Sequence, residues 1–465
     1  MGLLSTNEVE PNSVLLQVPT SLTFSVSTSK FDTNTQVESY FKNNAKAYSG
    51  APWWAKLSAD LNCCDKIDSK RSTGNGDETV EMRPWLDSLP RSFDTPIHWS
   101  KEEKDELQYE PLISMVASQE KTYKTAYDIL KEDIDPSSPL TGWTYDEFLW
   151  GCDCARSRAF SGTYGGSAFN PKPYALTILL VAAYLGLHLG TFEQASNGAG
   201  LVFCGSVLKD FVIPKFFKSK KYVICPFIDM ANHVGMKEDG NVAFEYFTDG
   251  YSLSAKDATI EKGKEIFISY GPRSNDALLQ LYGFSERNNA HDVYVMPPLR
   301  EWDIAALEEA CGRKFQAGRL QKLERAGLLG GTALKADDDD AFEEGVLNRE
   351  RGVVVSRAVG IDPAIMTALR VLVSSEEEWN AVGEAVGNLV TENSGGKENE
   401  RLARIAASKA LELELELKAT TLEEDEESWN KRDTLGLNSK EILALEFRIE
   451  KKKVLQETIF ALSLL

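Results

Sequence analysis

The sequence predicts an α+β chain, in which a strand-rich N-terminal part with helical insertions precedes an all-helical C-terminal part. Short apolar runs broken by glycine-containing turns occupy much of the stretch before about residue 300. Beyond it, segments with the 3.6-residue period and a helix-former composition take over. Hydrophobic residues at 42% and charged residues at 26% sit close to globular averages, so neither wholesale disorder nor a fibrous repeat fits. The 465 residues suffice for two or three domains of ordinary size.

In chain order, "SVLLQVPTSLTFSV" reads as one or two short strands punctuated by Pro19. The polar "DSKRSTGNGDETV" is a surface loop. In "RPWLDSLPRSFDTPIHWSKEEKDEL", Ser100 is a helix N-cap and Glu103, three residues on, completes a capping box. "YDEFLWGCDCARSRAF" spaces Tyr145, Phe148, Leu149 and Cys152 as a helix packed on a core would. "YALTILLVAAYLGLHLG" reaches only the lower limit of transmembrane length, and the basic "KDFVIPKFFKSKK" follows it. A buried helical hairpin is the preferred reading of 174–221, and a membrane-contacting hairpin with lysines at an anionic lipid surface is the alternative.

"VAFEYF", "YSLSA" and "EIFISY" then read as strands separated by "TDG" and "EKGK". The helical segments that follow end in "SKEILALEFRIEKKKVLQETIFALSLL". Asn438 is its N-cap with Glu441 at N3, and Ile442, Leu445, Ile449 and Leu455 are among its apolar positions.

The formal net charge of -20 argues against the broad basic surface that binding DNA or RNA requires. Much of the acidity lies in "ADDDDAFEE" and "LEEDEESW", which read as solvated loops. The seven cysteines, odd in number, match neither a disulfide framework nor a zinc spacing. They are expected to be reduced thiols with no metal, in a reducing intracellular compartment such as the cytosol or plastid stroma. "MGLLSTNEVEPNSVLLQVP" shows neither a signal nor a transit peptide.

Two features are not routine core. "PFIDMANH" closes one apolar run with Asn-His, and "GKEIFISYG" closes another with Tyr-Gly. The order "RSRAF", "PFIDMANH", "GKEIFISYG", "SNDALLQLYGF" resembles a SET domain of the Rubisco large-subunit lysine methyltransferase type. The resemblance extends to "GLLST", to "PWLDSLPRSFDTPIHWSKEEKDEL" and to the helical tail. It implies a SET domain over 1–290 with small sheets, a knot-like C-terminal crossing and a helical insert at about 36–222. An all-α domain over 300–465 would dock a protein substrate, and the protein would be a monomer.

The implied activity is protein-lysine N-methylation of a non-histone protein with S-adenosyl-L-methionine as cofactor. Such a transfer is an in-line displacement, so alignment, desolvation and delivery of a neutral amine are the enzyme's tasks. A free lysine amine, with a pKa of roughly 10.4, is almost fully protonated at neutral pH. An aromatic, mostly uncharged channel disfavours the ammonium while its ring faces tolerate a methylated cation.

By resemblance, Tyr270 is the active-site tyrosine, beside the transferring methyl. Gly2, Ser157, Arg158, Asn232, His233 and Phe284 bind the cofactor, with Arg158 suited to its carboxylate. Phe160, Asp229 and Tyr282 face the substrate, and the aromatic Phe160 favours a lysine stem over the imidazole that some relatives methylate. The family's first motif is Gly-x-Gly, whereas this chain begins Met1-Gly2-Leu3, so only the second glycine is present and a truncated start is expected. A catalytically weak SET scaffold that binds a partner is the alternative, as is protein-histidine methylation. No cysteine cluster follows the SET core, so the zinc-binding tail of histone-type relatives is not expected.

Overall fold

Pro19 lacks the N–H that a central strand would need, and it ends the strand Val14–Pro19 where the chain turns into a short 3-10 segment, Thr20–Leu22. The next strand, Phe24–Ser27, belongs to a different sheet. The computed structural model describes residues 2–27, 35–42, 46–67, 70–72, 79–162, 220–235, 240–247, 250–316, 318–329, 352–383 and 385–464. The chain forms two compact units. The first comprises 1–91, 124–232 and 240–268, and the second 92–123, 233–239 and 269–465.

In the first unit small antiparallel sheets bring distant segments together. Gly250–Ala255 lies between Val14–Pro19 and Val242–Phe247, with Val18 opposite Tyr251 and Leu253 opposite Phe244. Lys221–Ile224 lies between Phe24–Ser27 and Phe160–Gly162, with Phe24 opposite Ile224 and Phe160 opposite Val223. The two-residue strand Leu3–Leu4 pairs with Glu265–Ile268, with Leu3 opposite Ile266 and Leu4 opposite Glu265.

The helix Tyr145–Arg158 opens with a Thr144/Glu147 capping box and packs on Trp53–Lys66. There Ser58 Oγ donates to the Phe148 carbonyl at 2.7 Å, and Asn62 Nδ2 donates to that of Glu147 at 3.0 Å. Phe148 and Cys152 are buried as expected. The helix ends at Arg158 and a strand starts at Phe160, so this junction fixes both side chains.

The second unit has a core in which Pro363–Val373, Lys397–Glu416 and Ser439–Ser463 pack together with Tyr109 and Tyr294. The capping boxes at Ser100/Glu103 and Asn438/Glu441 form as expected, and Leu445, Ile449 and Leu455 are buried. One expectation needs correcting, because the C-terminal part is not wholly helical. Val353–Ser356 pairs with Val293–Met296 on one side and with Gly360–Ile361 on the other. Val353, Val354 and Val355 are all buried, so this strand lacks the period-two pattern that announces a half-exposed one.

A buried ionic cluster ties Ser439–Ser463 to the start of the helix Asn275–Tyr282. Lys451 Nζ donates to Asp292 Oδ1 at 2.8 Å, to the Val293 carbonyl at 2.7 Å and to Asp276 Oδ2. Burial disfavours the ammonium, but Asp276 and Asp292 outweigh it and hold the Lys451 pKa above its usual value.

Most of the 174–221 stretch, including the proposed hairpin, lies outside the described residues. Among the described residues, no helix is long and apolar enough to cross a membrane and no group of His, Cys, Asp and Glu is placed to hold a metal ion. Cys63, Cys152, Cys154, Cys225 and Cys311 are buried thiols, and burial pushes each thiol's pKa up.

Candidate functional site

In the first unit, the helix–strand junction and the segment 226–232 hold Arg158, Asp229 and Asn232. Asp229 lies in the short 3-10 turn Ile228–Met230, and its side chain is fully enclosed. Arg158 Nη1 donates to Asp229 Oδ2 at 2.9 Å and to its carbonyl at 3.3 Å. The Trp85 indole N–H donates to Asp229 Oδ1 at 3.1 Å. Burial pushes the Asp229 carboxyl up, and Arg158 and Trp85 pull it back only in part.

Arg158 Nε is buried and has no hydrogen-bond partner among the described residues. Ser157 turns inward, its Oγ donating to the Asp153 carbonyl one helical turn back at 2.6 Å. The turn before Asp229 is strained, because Phe227 adopts φ 69° and is 45% exposed.

Asn232 Nδ2 donates to Glu265 Oε1 at 2.6 Å, beside the strand Leu3–Leu4. Gly2 sits against this pair. A Cβ there would come within 2.3 Å of Glu265 Oε1 and 2.6 Å of Asn232 Nδ2, so any other residue displaces both side chains. Asn241 braces the same strand, donating to the Glu265 carbonyl at 2.7 Å and accepting from the Phe267 N–H at 2.8 Å. Phe160 stacks on Phe244 with centroids 4.1 Å apart, and Phe244 in turn stacks on Tyr251.

In the second unit, four of the expected residues form one aromatic cluster. The His233 and Tyr270 rings stack at 4.9 Å, Tyr270 and Tyr282 at 4.9 Å, and Phe284 lies 6.0 Å from His233 and 6.3 Å from Tyr282. The Tyr270 N–H donates to His233 Nδ1 at 3.0 Å, which makes Nδ1 an acceptor and puts the proton of the neutral ring on Nε2. Glu286 Oε2 lies 3.9 Å from that nitrogen.

Glycine follows each of the two tyrosines for a backbone reason. Gly271 has φ +93° and Gly283, which ends the helix Asn275–Tyr282, has φ +75°. These left-handed turns let the chain leave sharply after each ring at little steric cost. Tyr270 itself lies two residues beyond the strand Glu265–Ile268 rather than at its end.

Arg158 and Asp229 thus meet in the first unit, and His233, Tyr270, Tyr282 and Phe284 meet in the second. Within the first unit Gly2 touches Asn232, while Phe160 belongs to a separate aromatic stack. Residue-by-residue reading missed Trp85, Glu265, Asn241, Glu286 and Asp292, which hold these side chains. Asp292 receives the Asn275 N–H at 2.9 Å and its side-chain amide at 3.0 Å, and so anchors the helix that ends at Tyr282. Trp85 and Glu265 stand inside quoted motifs, where nothing marked them as partners of Asp229 and Asn232, and Asn241, Glu286 and Asp292 stand in no motif.

Residues 313–455 match the family described as Rubisco LSMT substrate-binding. The chain is 22% identical over 391 residues to the chloroplastic fructose-bisphosphate aldolase lysine N-methyltransferase of Arabidopsis thaliana, covering 82% of this chain and 64% of that protein. It is 26% identical over 250 residues to an N-lysine methyltransferase of Rattus norvegicus, covering 51% and 48%. It is 23% identical over 392 residues to the actin-histidine N-methyltransferase of Danio rerio, covering 81% and 51%. The chain therefore spans between about half and two thirds of the length of these relatives.

Two solved structures, the SET domain of LSMT bound to lysine and AdoHcy and Rubisco LSMT bound to AdoMet, each match all of this chain and 84% of theirs. Each does so with a TM-score of 0.56 at 19% identity. The fold is that of these SET-domain structures, with a helical C-terminal region.

Proposed function

We propose that this protein is an S-adenosylmethionine-dependent protein-lysine N-methyltransferase acting on a non-histone protein. The stacked cluster of His233, Tyr270, Tyr282 and Phe284 carries the proposal. It is the uncharged aromatic surface that a neutral amine and its methylated cation require. Similarity to lysine methyltransferases of Arabidopsis thaliana and Rattus norvegicus, and to LSMT structures holding lysine or AdoMet, supports it.

S-adenosylmethionine, when bound, supplies a methyl group on a positively charged sulfur. Its carboxylate suits Arg158, whose buried Nε–H has no partner among the described residues while Asp229 occupies Nη1. In this reading Gly2, Ser157, Asn232, His233 and Phe284 complete the cofactor contacts, with Gly2 present because the Asn232–Glu265 pair leaves no room for a side chain. Tyr270, held through its N–H by His233, orients the amine. The aromatic faces of Tyr282 and Phe160 line the lysine stem, and the enclosed Asp229 serves the substrate side by fixing Arg158.

We assign 1–290 to the SET domain and 300–465 to the domain that docks the protein substrate, in accord with the 313–455 match. A monomer in a reducing compartment, cytosol or plastid stroma, completes the proposal. Protein-histidine methylation is the second reading, favoured by the similarity to the actin-histidine N-methyltransferase. The apolar Phe160–Phe244 stack favours lysine, because it offers an imidazole no hydrogen bond.

Calorimetric titration with S-adenosylhomocysteine tests the proposal without a known substrate, and micromolar binding is expected. If no binding occurs, the scaffold reading replaces it. Peptide mass spectrometry of proteins methylated in an extract then separates lysine from histidine.

A further inference from the structure

Helix Lys397–Glu416 begins at Gly396, which supplies no side chain to cap it, so the positive end of its dipole has no side-chain oxygen against it. At that end lies a cavity of about 520 Å³ lined by Glu392, Lys397, Glu400, Arg401, Arg404 and Leu462, among others. Arg404 is nine-tenths buried. Its Nη2 donates to Glu392 and its Nε donates to Glu400 Oε1 at 3.4 Å, but Nη1 is buried with no partner among the described residues.

Glu400 is already committed to Arg370, which donates from Nε at 2.7 Å and from Nη2 at 3.1 Å. Although burial opposes it, the Arg370 hydrogen bond and further donors hold this carboxyl below its usual range. The lining sets Lys397, Arg401 and Arg404 against Glu392 and Glu400, but Glu398 already pairs with Arg401 and Arg370 with Glu400, which leaves Lys397 and Arg404 against Glu392. A guanidinium N–H buried without an acceptor is costly, and a carboxylate supplies the missing acceptor in the geometry that arginine favours.

We propose that this cavity is a docking pocket for one acidic side chain of the protein substrate. The proposal rests on the methyltransferase reading and gives the substrate-docking region a specific anchor. Ile405 and Leu462 form an apolar wall suited to the methylene groups of that residue or to an apolar neighbour. A chain of net charge -20 repels polyanions at long range, so the occupant is a single carboxylate on a protein segment rather than a nucleic acid. Glu392, whose side chain is 57% exposed, holds Arg404 and would be displaced by the incoming acid.

The test uses the full chain and two blocked pentapeptides, Ala-Leu-Glu-Leu-Ala and its Gln counterpart, titrated by calorimetry, with acetate and inorganic phosphate as free anions. The Glu peptide is expected to bind and the Gln peptide not to. Arg404→Met should weaken Glu-peptide binding about tenfold or more. Glu392→Gln, at a more exposed position, should tighten it several-fold by removing the competing carboxylate. Equal binding of the two peptides, unchanged affinity in both variants, or acetate or phosphate binding as tight as the peptide would overturn the proposal. S-adenosylhomocysteine binding, measured on the same samples, reads the methyltransferase assignment separately, so either can fail without the other.

Discussion

Lys451→Met isolates the buried ionic cluster at the base of the helix Asn275–Tyr282. The ammonium is 2% exposed, the side chains of Asp276 and Asp292 are fully buried, and its donors go to these two carboxylates and the Val293 carbonyl. Methionine keeps most of the aliphatic stem and loses the ammonium, which lies 5.4 Å from the Tyr109 ring centroid and 4.9 Å from that of Phe447, so the change removes mainly the charge. Removing one partner of a buried ion pair costs about 3 to 5 kcal/mol.

Here the lower end applies. Burial holds Asp276 above its usual pKa even with Lys451 in place, so it takes up a proton readily once the cation is gone. A carboxyl whose folded pKa exceeds its unfolded value favours folding fully below the unfolded pKa, and that advantage is lost as pH rises through the folded pKa. The loss on Lys451→Met should therefore be about 3 kcal/mol at pH 8 and smaller at pH 5. Asp276→Asn in the same background should recover part of it. Urea unfolding followed by tryptophan fluorescence at both pH values measures this. A loss below about 1 kcal/mol, or one independent of pH, would refute the reasoning.

Tyr270→Phe should reduce methyl transfer by orders of magnitude while circular dichroism and melting stay unchanged, and undiminished turnover would remove Tyr270 from the chemistry. Arg158→Ala should raise the dissociation constant for S-adenosylhomocysteine more than it slows turnover at saturating cofactor. If turnover alone fell, the carboxylate role would be wrong. Gly283→Ala places a Cβ at φ +75°, 3.4 Å from the Asp94 carbonyl carbon. It should cost about 1 to 2 kcal/mol in thermal unfolding, and an unchanged midpoint would show that the turn relaxes freely.

Local signals made part of this molecule legible. Capping boxes announce helix starts because cap and N3 residue stand at a fixed spacing, and Ser100/Glu103 and Asn438/Glu441 both form. The strands Val242–Phe247, Gly250–Ala255 and Glu265–Ile268 were visible because short glycine-containing turns separate them. Val353–Val355 was not, because all three valines are buried and periodicity vanishes. The aromatic residues of the cluster were legible through the order of four motifs, although each ring alone is an ordinary core residue.

What holds those rings in place was not legible, and the reason is physical. Asp292 meets Asn275 and Lys451 meets Asp276 across separations of 17 and 175 residues, where sequence spacing carries no geometric information. Burial adds to the concealment, since an isolated Lys451 reads as one more solvated lysine in "EKKKV" until folding desolvates it. The consequence is energetic as well as descriptive. A motif residue such as Tyr282 can be replaced at the cost of its own contacts, whereas replacing Lys451 leaves two buried carboxylates without their cation. Stability in the second unit should therefore respond more steeply to Lys451→Met than to Tyr282→Leu, while binding and turnover should respond in the opposite order. The reverse pattern would mean that the aromatic cluster serves the core and that the ionic cluster is dispensable.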